Sequence, residues 1–380
     1  GGQDELLFDG RSFIFDPNGQ PLVRGKKFEE QFILHDLAID TTLVRNAERL
    51  KKVIAAAGNQ ITVTPSKDFS LREVSITAPA SIVPAAASAP HLAPHLDDED
   101  EVFRALILGT RDYVRKNGFK KVVLGLSGGI DSALTAVIAV EALGPENVAG
   151  VLMPSRFNIS ASTEDALELA KRLDVQTFMI PINTPVTAME NLLAPTFAGR
   201  ERDIAEENLQ ARVRGMILMA LSNKFGWLVL TTSNKSETAV GYATLYGDMA
   251  GGFGVIKDVP KTFVYRLARW LNQVHFQGHP VIPQRTIDRP PSAELRPDQT
   301  DQDSLPPYDL LDQIIEAYIE ENRSVAEMAT AGLPEETVRQ VLKLIDRAEY
   351  KRRQSAPGIK ITPRNFGKDR RMPITNRFQP

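Results

Sequence analysis

The residues Leu124-Gly125-Leu126-Ser127-Gly128-Gly129-Ile130-Asp131-Ser132 combine the groups that hold a phosphorylated ligand. An apolar run precedes them and a helical pattern follows. Gly128 and Gly129 let backbone N–H groups approach an anion closely, and the helix start adds its positive end. Ser127 and Ser132 supply hydroxyl donors. Asp131 would repel a phosphate unless a divalent cation lay between them, so its presence argues for Mg2+. No Gly-x4-Gly-Lys-Ser/Thr occurs, and no Gly-x-Gly-x-x-Gly follows a strand, which excludes a Walker loop and a dinucleotide fingerprint. A plain strand–helix turn with an aspartate cap is the alternative; both serines and the aspartate together favour phosphate binding.

Other chemistry is sparse. The 380 residues hold no cysteine, which excludes disulfides, zinc–thiolate sites, iron–sulfur clusters and a cysteine nucleophile. That composition is compatible with a reducing compartment, and a cytoplasmic protein is expected. His275 and His279 are four apart, but Gly278 intervenes and no glutamate follows His275, so a His-Glu-x-x-His metal site is not expected. The apolar share of 42%, charged share of 24% and formal charge of −3 exclude wholesale disorder, collagen and coiled coil. They give no global reason to expect a nucleic acid or membrane partner. No apolar stretch reaches the roughly 18 residues a transmembrane helix needs. The chain opens Gly-Gly without a signal-peptide pattern, and a first residue other than Met points to a fragment or processed product. Residues 343–380 carry 11 Lys/Arg against 3 Asp/Glu. No RNA-binding aromatic motif accompanies them, and Phe366-Gly367 with several prolines favours a loop closing over anionic substrates above a nucleic-acid tail.

The elements that must position the loop alternate in type. Residues 1–35 read as short strands at Leu6-Leu7, Ser12–Phe15 and Pro21–Val23, separated by turn signals, with another β-like run at Gln60–Val63. Ala78 to Pro94 is Ala/Pro/Ser-rich and reads as a linker. Val102, Phe103, Leu106, Ile107, Thr110, Tyr113 and Val114 repeat at helical spacing up to Asn117-Gly118. Strands are predicted at Lys121–Leu126, Asn147–Met153, Gln176–Ile182 and Trp227–Thr231. Helices are predicted at Ser132–Leu143, from a capping box at Ser162–Asp165, and at Arg202–Phe225 with a buried stripe of Leu209, Val213, Met216, Ile217, Ala220 and Leu221. Past residue 305 the pattern turns helical. Such alternation predicts an α/β fold, a doubly wound parallel sheet whose ligands lie beyond the strand C-termini, with a small β-rich piece before it.

Ser-Gly-Gly-x-Asp-Ser resembles the pyrophosphate loop of the ATP pyrophosphatases that adenylate a substrate oxygen, among them NAD, GMP, asparagine and argininosuccinate synthetases. Other stretches resemble the NAD synthetases. They are Asn208–Arg214, Thr232–Glu237 continuing to Asp248, Lys257–Thr262, Pro291–Leu295, and Lys351–Gln354 with Phe366-Gly367. Gly1–Gly10 is similar to the later part of a nitrilase-type glutaminase domain, the pairing of glutamine-dependent NAD synthetases. The resemblance implies residues 1–77 as a remnant of that glutaminase, 78–96 as linker and 97–380 as an ATP-dependent synthetase domain. Such a glutaminase needs a Cys–Glu–Lys set with its cysteine upstream, and these residues contain none. Arg156-Phe157-Asn158-Ile159 also departs from the family's usual sequence after Met-Pro-Ser.

The resemblance implies amidation of deamido-NAD by ATP through a nicotinyl adenylate, with ammonia as this chain's nitrogen donor and a homodimer as the assembly. A separate glutaminase partner is left open. Asp131 and Lys261 would be catalytic, and Asp131 and Glu237 would hold Mg2+. ATP would meet Gly125, Ser127, Gly128, Gly129, Ile130, Asp131, Ser132, Thr232, Lys261 and Ser292. Deamido-NAD would meet Asn208, Arg212, Glu237, Tyr242, Asp248, Lys257 and Lys351. Plainer readings stand beside these: a helix N-terminal carboxylate for Glu237, a surface lysine for Lys261, a solvated face for Asn208 and Arg212, core for Tyr242. Two further hypotheses compete: a regulatory chain that retains the fold without catalysis, and a tRNA-modifying adenylating enzyme. Intact Asp131, Glu237 and Lys261 oppose the first; the missing cysteine and lack of a basic footprint oppose the second.

Overall fold

A computed structural model of the chain describes residues 1–16, 18–35, 48–49, 52 and 89–375. It divides into a unit between Asp9 and His95 and a larger one made of Gly1–Phe8 with the chain from Leu96 onward. The larger unit opens with the antiparallel pair β1 (Gly2–Gln3) and β2 (Leu6–Leu7). The smaller unit holds a three-stranded sheet of β3 (Phe13–Phe15), β4 (Pro21–Arg24) and β5 (His91–Leu92). Its turn residue Gly19 has a φ of +83°. The expected Gln60–Val63 run and most of the Ala/Pro/Ser stretch lie outside the described residues.

The larger unit then alternates helix and strand as expected. Its elements are α1 (Asp98–Lys116), β6 (Val122–Gly125), α2 (Ile130–Leu143), β7 (Val148–Leu152), α3 (Ser160–Arg172), β8 (Gln176–Met179), α4 (Asn183–Leu193), α5 (Ile204–Phe225) and β9 (Leu228–Thr231). They continue through α6 (Lys235–Val240), β10 (Phe253–Gly254), α7 (Lys261–Trp270), α8 (Gln284–Asp288), α9 (Tyr308–Ile315), α10 (Val325–Thr330), α11 (Glu335–Arg347) and α12 (Glu349–Arg352). The five strands β6 to β10 form one parallel sheet in the order β10-β9-β6-β7-β8.

Alternate residues of these strands feed two cores, as the two-residue period of a strand requires. Val122, Leu124, Leu228 and Leu230 join the apolar layer under α1, α2 and α7. Val123, Val229, Ala149 and Val151 face the other way, toward Val186 of α4 and Val213 of α5. A third apolar cluster gathers α6, α9, α10 and α11 into a C-terminal helical layer.

Two expectations are corrected. Ser162 does not cap α3: the helix begins two residues earlier, after Ile159, and the Ser162 hydroxyl donates to Glu294 at 2.5 Å. Its supposed box partner Asp165 is buried against Arg285 and Arg289 instead. On α5 the buried positions are Gln210, Ala211, Val213 and Gly215, whereas Met216 is 62% exposed and Ala220 is exposed too. The rest of the stripe holds in part, since Val213, Ile217 and Leu221 pack on the sheet, while Gly215 lies close against the backbone of Tyr246 and Gly247.

Candidate active site

In chain order the sheet grows from β6 through β7 to β8, then returns to add β9 and β10 on the other side of β6. The direction reverses between β6 and β9, and the loops leaving their C-terminal ends diverge there, which opens a crevice. A cavity of about 290 Å³ lies at this point. Gly125, Ser127, Gly128, Gly129, Ile130, Asp131 and Ser132 line it from the β6 side. Thr232, Glu237, Tyr242 and Asp248 line it from the chain after β9, with Lys261 and Ser292 completing the set.

The loop after β6 is held by its own hydroxyls. Ser132 Oγ donates to Gly129 O at 2.9 Å, and Gly129 N–H donates to Ser127 Oγ at 3.2 Å. Gly129 is the N-cap residue of α2, and no side chain caps that helix. Its first N–H groups therefore remain for a ligand. Gly128 has a φ of +85°, and a Cβ there would lie 2.1 Å from Ser162 O.

Asp131 sits in the first turn of α2 and accepts on both oxygens. Oδ1 takes Asn234 Nδ2 at 3.0 Å, and Oδ2 takes Lys261 Nζ. Lys261 Nζ also lies 3.4 Å from Glu237 Oε1. Glu237 Oε2 meanwhile accepts from Asn234 N–H at 3.4 Å, closing the capping box of α6. Glu237 thus serves as a helix N-terminal carboxylate through one oxygen and faces Lys261 with the other. Protein surrounds Glu237 on nearly every side, and this burial pushes its pKa up to about 8, with Lys261 opposing and Asp131 reinforcing the shift. Burial alone would lower Lys261, yet Asp131 and Glu237 beside it raise its pKa overall. The locality is short of positive charge, since Asp301 also lines the cavity, bonded by the Tyr308 hydroxyl at 2.7 Å.

That deficit is what a divalent cation would correct. Among the described residues no three His, Cys, Asp or Glu side chains are arranged to hold a metal by themselves. Two carboxylates beside an uncapped helix start nonetheless fit Mg2+, which usually takes one or two carboxylates and completes its shell with phosphate oxygens and water.

The opposite wall contains residues that sequence reasoning did not single out. Arg214 is half-buried and lines the cavity, donating to Met153 O and to Asn158 Oδ1, each at 3.2 Å. Burial lowers its pKa to about 10. Asn158 donates to Glu294 at 2.6 Å, and Arg289 donates to Ser162 at 2.8 Å. Arg214 and Glu294 lay within stretches already quoted for the family resemblance; nothing in local sequence marked Arg289.

A family profile described as NAD synthase matches residues 102–355. The chain belongs to the NAD synthase family. It is 54% identical to a glutamine-dependent NAD(+) synthetase of Thermotoga maritima, covering 100% of this chain and 64% of that protein. The chain therefore spans less than two thirds of the length of that curated relative. The solved glutamine-dependent NAD+ synthetase of Acinetobacter baumannii, in complex with ADP, is 42% identical with a TM-score of 0.63, covering 99% of this chain and 60% of that one. The NH3-dependent NAD synthetase of Campylobacter jejuni is 28% identical with a TM-score of 0.53, covering 68% of this chain and 96% of that one.

Four residues that the NAD synthase resemblance assigns to the dinucleotide stand outside this cavity. Asn208 Oδ1 accepts from the Thr244 hydroxyl at 2.7 Å, and Arg212 Nε donates to Leu245 O at 3.2 Å. Both hold the loop that leads to Asp248. Gly215, on the same helix, is approached by the backbone of that loop. Asp248 opens onto the cavity, but the protein around it pushes its pKa up to about 6 against the Thr244 N–H bond at 2.6 Å. Lys351 donates to Gly241 O at 2.7 Å and Ala243 O at 2.8 Å, and Lys257 to Ala356 O at 2.6 Å. These two lysines line a separate small pocket. Arg156 is ion-paired with Glu190 at 2.9 Å. His275 packs its ring against Phe103, Trp270 and Phe276. Among the described residues no helix is long and apolar enough to cross a membrane.

Proposed function

We propose that this chain amidates deamido-NAD (nicotinic acid adenine dinucleotide) to NAD, with ATP as co-substrate and AMP and pyrophosphate as products. The observation that carries the reading is the meeting of Asp131, Glu237 and Lys261 beside an uncapped helix start, where the sheet order reverses. In the first half-reaction an oxygen of the nicotinate carboxylate attacks the α-phosphorus of ATP. The new P–O bond forms as the bond to the bridging oxygen breaks, and pyrophosphate leaves with that electron pair. The β6–α2 loop and its hydroxyls hold the phosphates, Thr232 and Ser292 orient the nucleotide, and Lys261 faces the charge that develops on the leaving group. Asp131 and Glu237 would hold Mg2+, which supplies further neutralisation of phosphate charge. In the second half-reaction the lone pair of NH3 attacks the adenylate carbonyl carbon. The carbon–oxygen bond to AMP breaks, and one proton is released.

On the dinucleotide side we assign Tyr242 and Asp248 directly, with Asn208, Arg212, Lys257 and Lys351 shaping or flanking the same loop. The solvent face of α5 leaves Ile204, Met216, Met219 and Phe225 exposed, which supports a homodimer built on that helix. We read residues 1–77 as part of a nitrilase-type glutaminase domain, 78–96 as a linker that carries the strand β5, and 97–380 as the synthetase domain, with which Gly1–Phe8 forms one unit. Hydrolysing glutamine in the nitrilase manner needs a thiolate, and these 380 residues contain no cysteine. Ammonia is therefore the nitrogen donor for this chain by itself.

The test is turnover of the 380-residue chain with ATP, Mg2+ and deamido-NAD, supplied with either ammonium or glutamine. NAD and AMP should form with ammonium, at a rate that climbs with pH at limiting ammonium as the NH3 fraction grows. A glutamine-supported rate equal to the ammonium rate, in preparations cleared of glutaminase and free ammonia, would overturn the nitrogen assignment. No AMP with either donor would overturn the reaction.

A further inference from the structure

We propose that Asp312 is a positioning residue for Lys261, acting from the C-terminal helical layer without touching substrate; the proposal rests on the catalytic role given to Lys261 above. Lys261 opens α7, and the N-cap residue of that helix, Pro260, makes no side-chain cap bond. The missing cap comes from α9. Asp312 Oδ2 accepts from Thr262 N–H at 2.9 Å and from Thr262 Oγ1 at 2.7 Å. Asp312 Oδ1 accepts from Ser236 Oγ, which itself accepts from Lys261 N–H at 2.8 Å. Ser236 lies in the first turn of α6, next to Glu237. A single carboxylate thus ties together the two helix starts that bring Lys261 and Glu237 to the cavity.

Tyr308 stands one helical turn before Asp312, on the same face of α9. Its ring lies over Lys261 Nζ, 5.3 Å from the ring centre. The helix therefore grips Lys261 at both ends, by its backbone through Asp312 and by its ammonium through Tyr308. Packing does not require a charge at position 312. Leu311, Ile314 and Ile315 already bury α9 in the third apolar cluster. Burial disfavours the carboxylate of Asp312, against the bonds from Ser236 and Thr262. An apolar side chain there would strand the Thr262 and Ser236 donors, at a desolvation cost. The carboxylate therefore caps α7 and, through that cap, places the lysine.

The test is a double-mutant cycle read as pyrophosphate release with ATP, Mg2+ and deamido-NAD. Asp312→Leu should lower the maximal rate about tenfold to a hundredfold, as expected for a misplaced catalytic group, with the KM for ATP changed far less. Asp312→Asn, whose amide oxygen can accept on one side alone, should give a smaller loss. In a Lys261→Met background neither substitution should lower the rate further, because residues that act as a unit are not additive. Equal losses in both backgrounds would show a general structural role and overturn the proposal. If Asp312→Leu does not fold, Asp312→Asn completes the cycle. Crystal structures of the variants separate this proposal from the reaction itself. Even if the wild-type chain releases no pyrophosphate, Lys261 Nζ displaced from Asp131 upholds the positioning role, and an unmoved Lys261 refutes it.

Discussion

Replacing Asp131 by Asn removes one charge and leaves the shape almost unchanged, which makes it the sharpest probe of the site. Asp131 is an acceptor on both oxygens, toward Asn234 Nδ2 and Lys261 Nζ. An asparagine can accept on one side only. Asn234 cannot rotate to help, because its own oxygen caps Glu237 N–H at 3.0 Å. One of the two contacts must therefore become donor against donor, which costs about 1–3 kcal/mol. Lys261 would keep Glu237 as a partner, so the larger penalty of a stranded buried charge does not arise. A loss of that size lowers the melting temperature of a protein of 150–250 residues by about 2–4 °C per kcal/mol, and of this longer chain by somewhat less. The effect on chemistry should be far greater, on the order of a hundredfold to a thousandfold in AMP formation, as for removal of a preorganised electrostatic group. AMP and pyrophosphate release measured beside a thermal melt distinguishes the two. A folded Asp131→Asn variant with near-normal AMP production would refute both the metal assignment and the role of the Asp131–Lys261 pair.

Other consequences follow from the same geometry. Arg212→Ala should weaken deamido-NAD binding about tenfold, the value of the lost charged hydrogen bond to Leu245 O that holds the loop leading to Asp248, while ATP affinity stays; calorimetry showing unchanged dinucleotide affinity would refute that role. Gly128→Ala should abolish ATP-induced thermal stabilisation, since a methyl group there meets Ser162 O at 2.1 Å and the positive φ strains any L-residue. Unaltered ATP protection would mean that the loop shifts freely. Glu237→Gln should remove activity and flatten the pH dependence of stability. The folded pKa of Glu237 is raised to about 8 from an ordinary value of 4.5, so its contribution is fully present below pH 4.5 and lost as pH rises toward 8. Melts from about pH 4.5 to about pH 9 in the absence of ligand should show the variant gaining on wild type across that window; parallel curves would exclude a raised pKa.

Local sequence was enough for the turn between β6 and α2, since glycines, serines and an aspartate between an apolar strand and a helix constrain the backbone over nine consecutive residues. It was also enough for the parallel α/β architecture, because the strands at β6, β7 and β9 are apolar on both faces and the helices between them carry their own stops. Gly226 and Gly241, for instance, end α5 and α6 in left-handed turns. Only tertiary structure decided how the parts meet. The short β10 strand and part of the buried face of α5 depend on what packs against them: Gly215 is buried because the Tyr246–Gly247 backbone lies against it, while Met216 of the hydrophobic pattern is left exposed. Sequence resemblance named Asp131, Glu237 and Lys261, but their convergence follows from the strand order, which places β9 beside β6 across more than a hundred residues of chain. Asn234 carried a local signature, a helix cap with Glu237 three residues on, but Asp301, Tyr308 and Asp312 had none, because a polar side chain that serves another helix is indistinguishable, along the chain, from one on a solvated face. Hydrogen-bond partners of this kind are fixed by direction and distance in three dimensions, and spacing along one helix does not encode them.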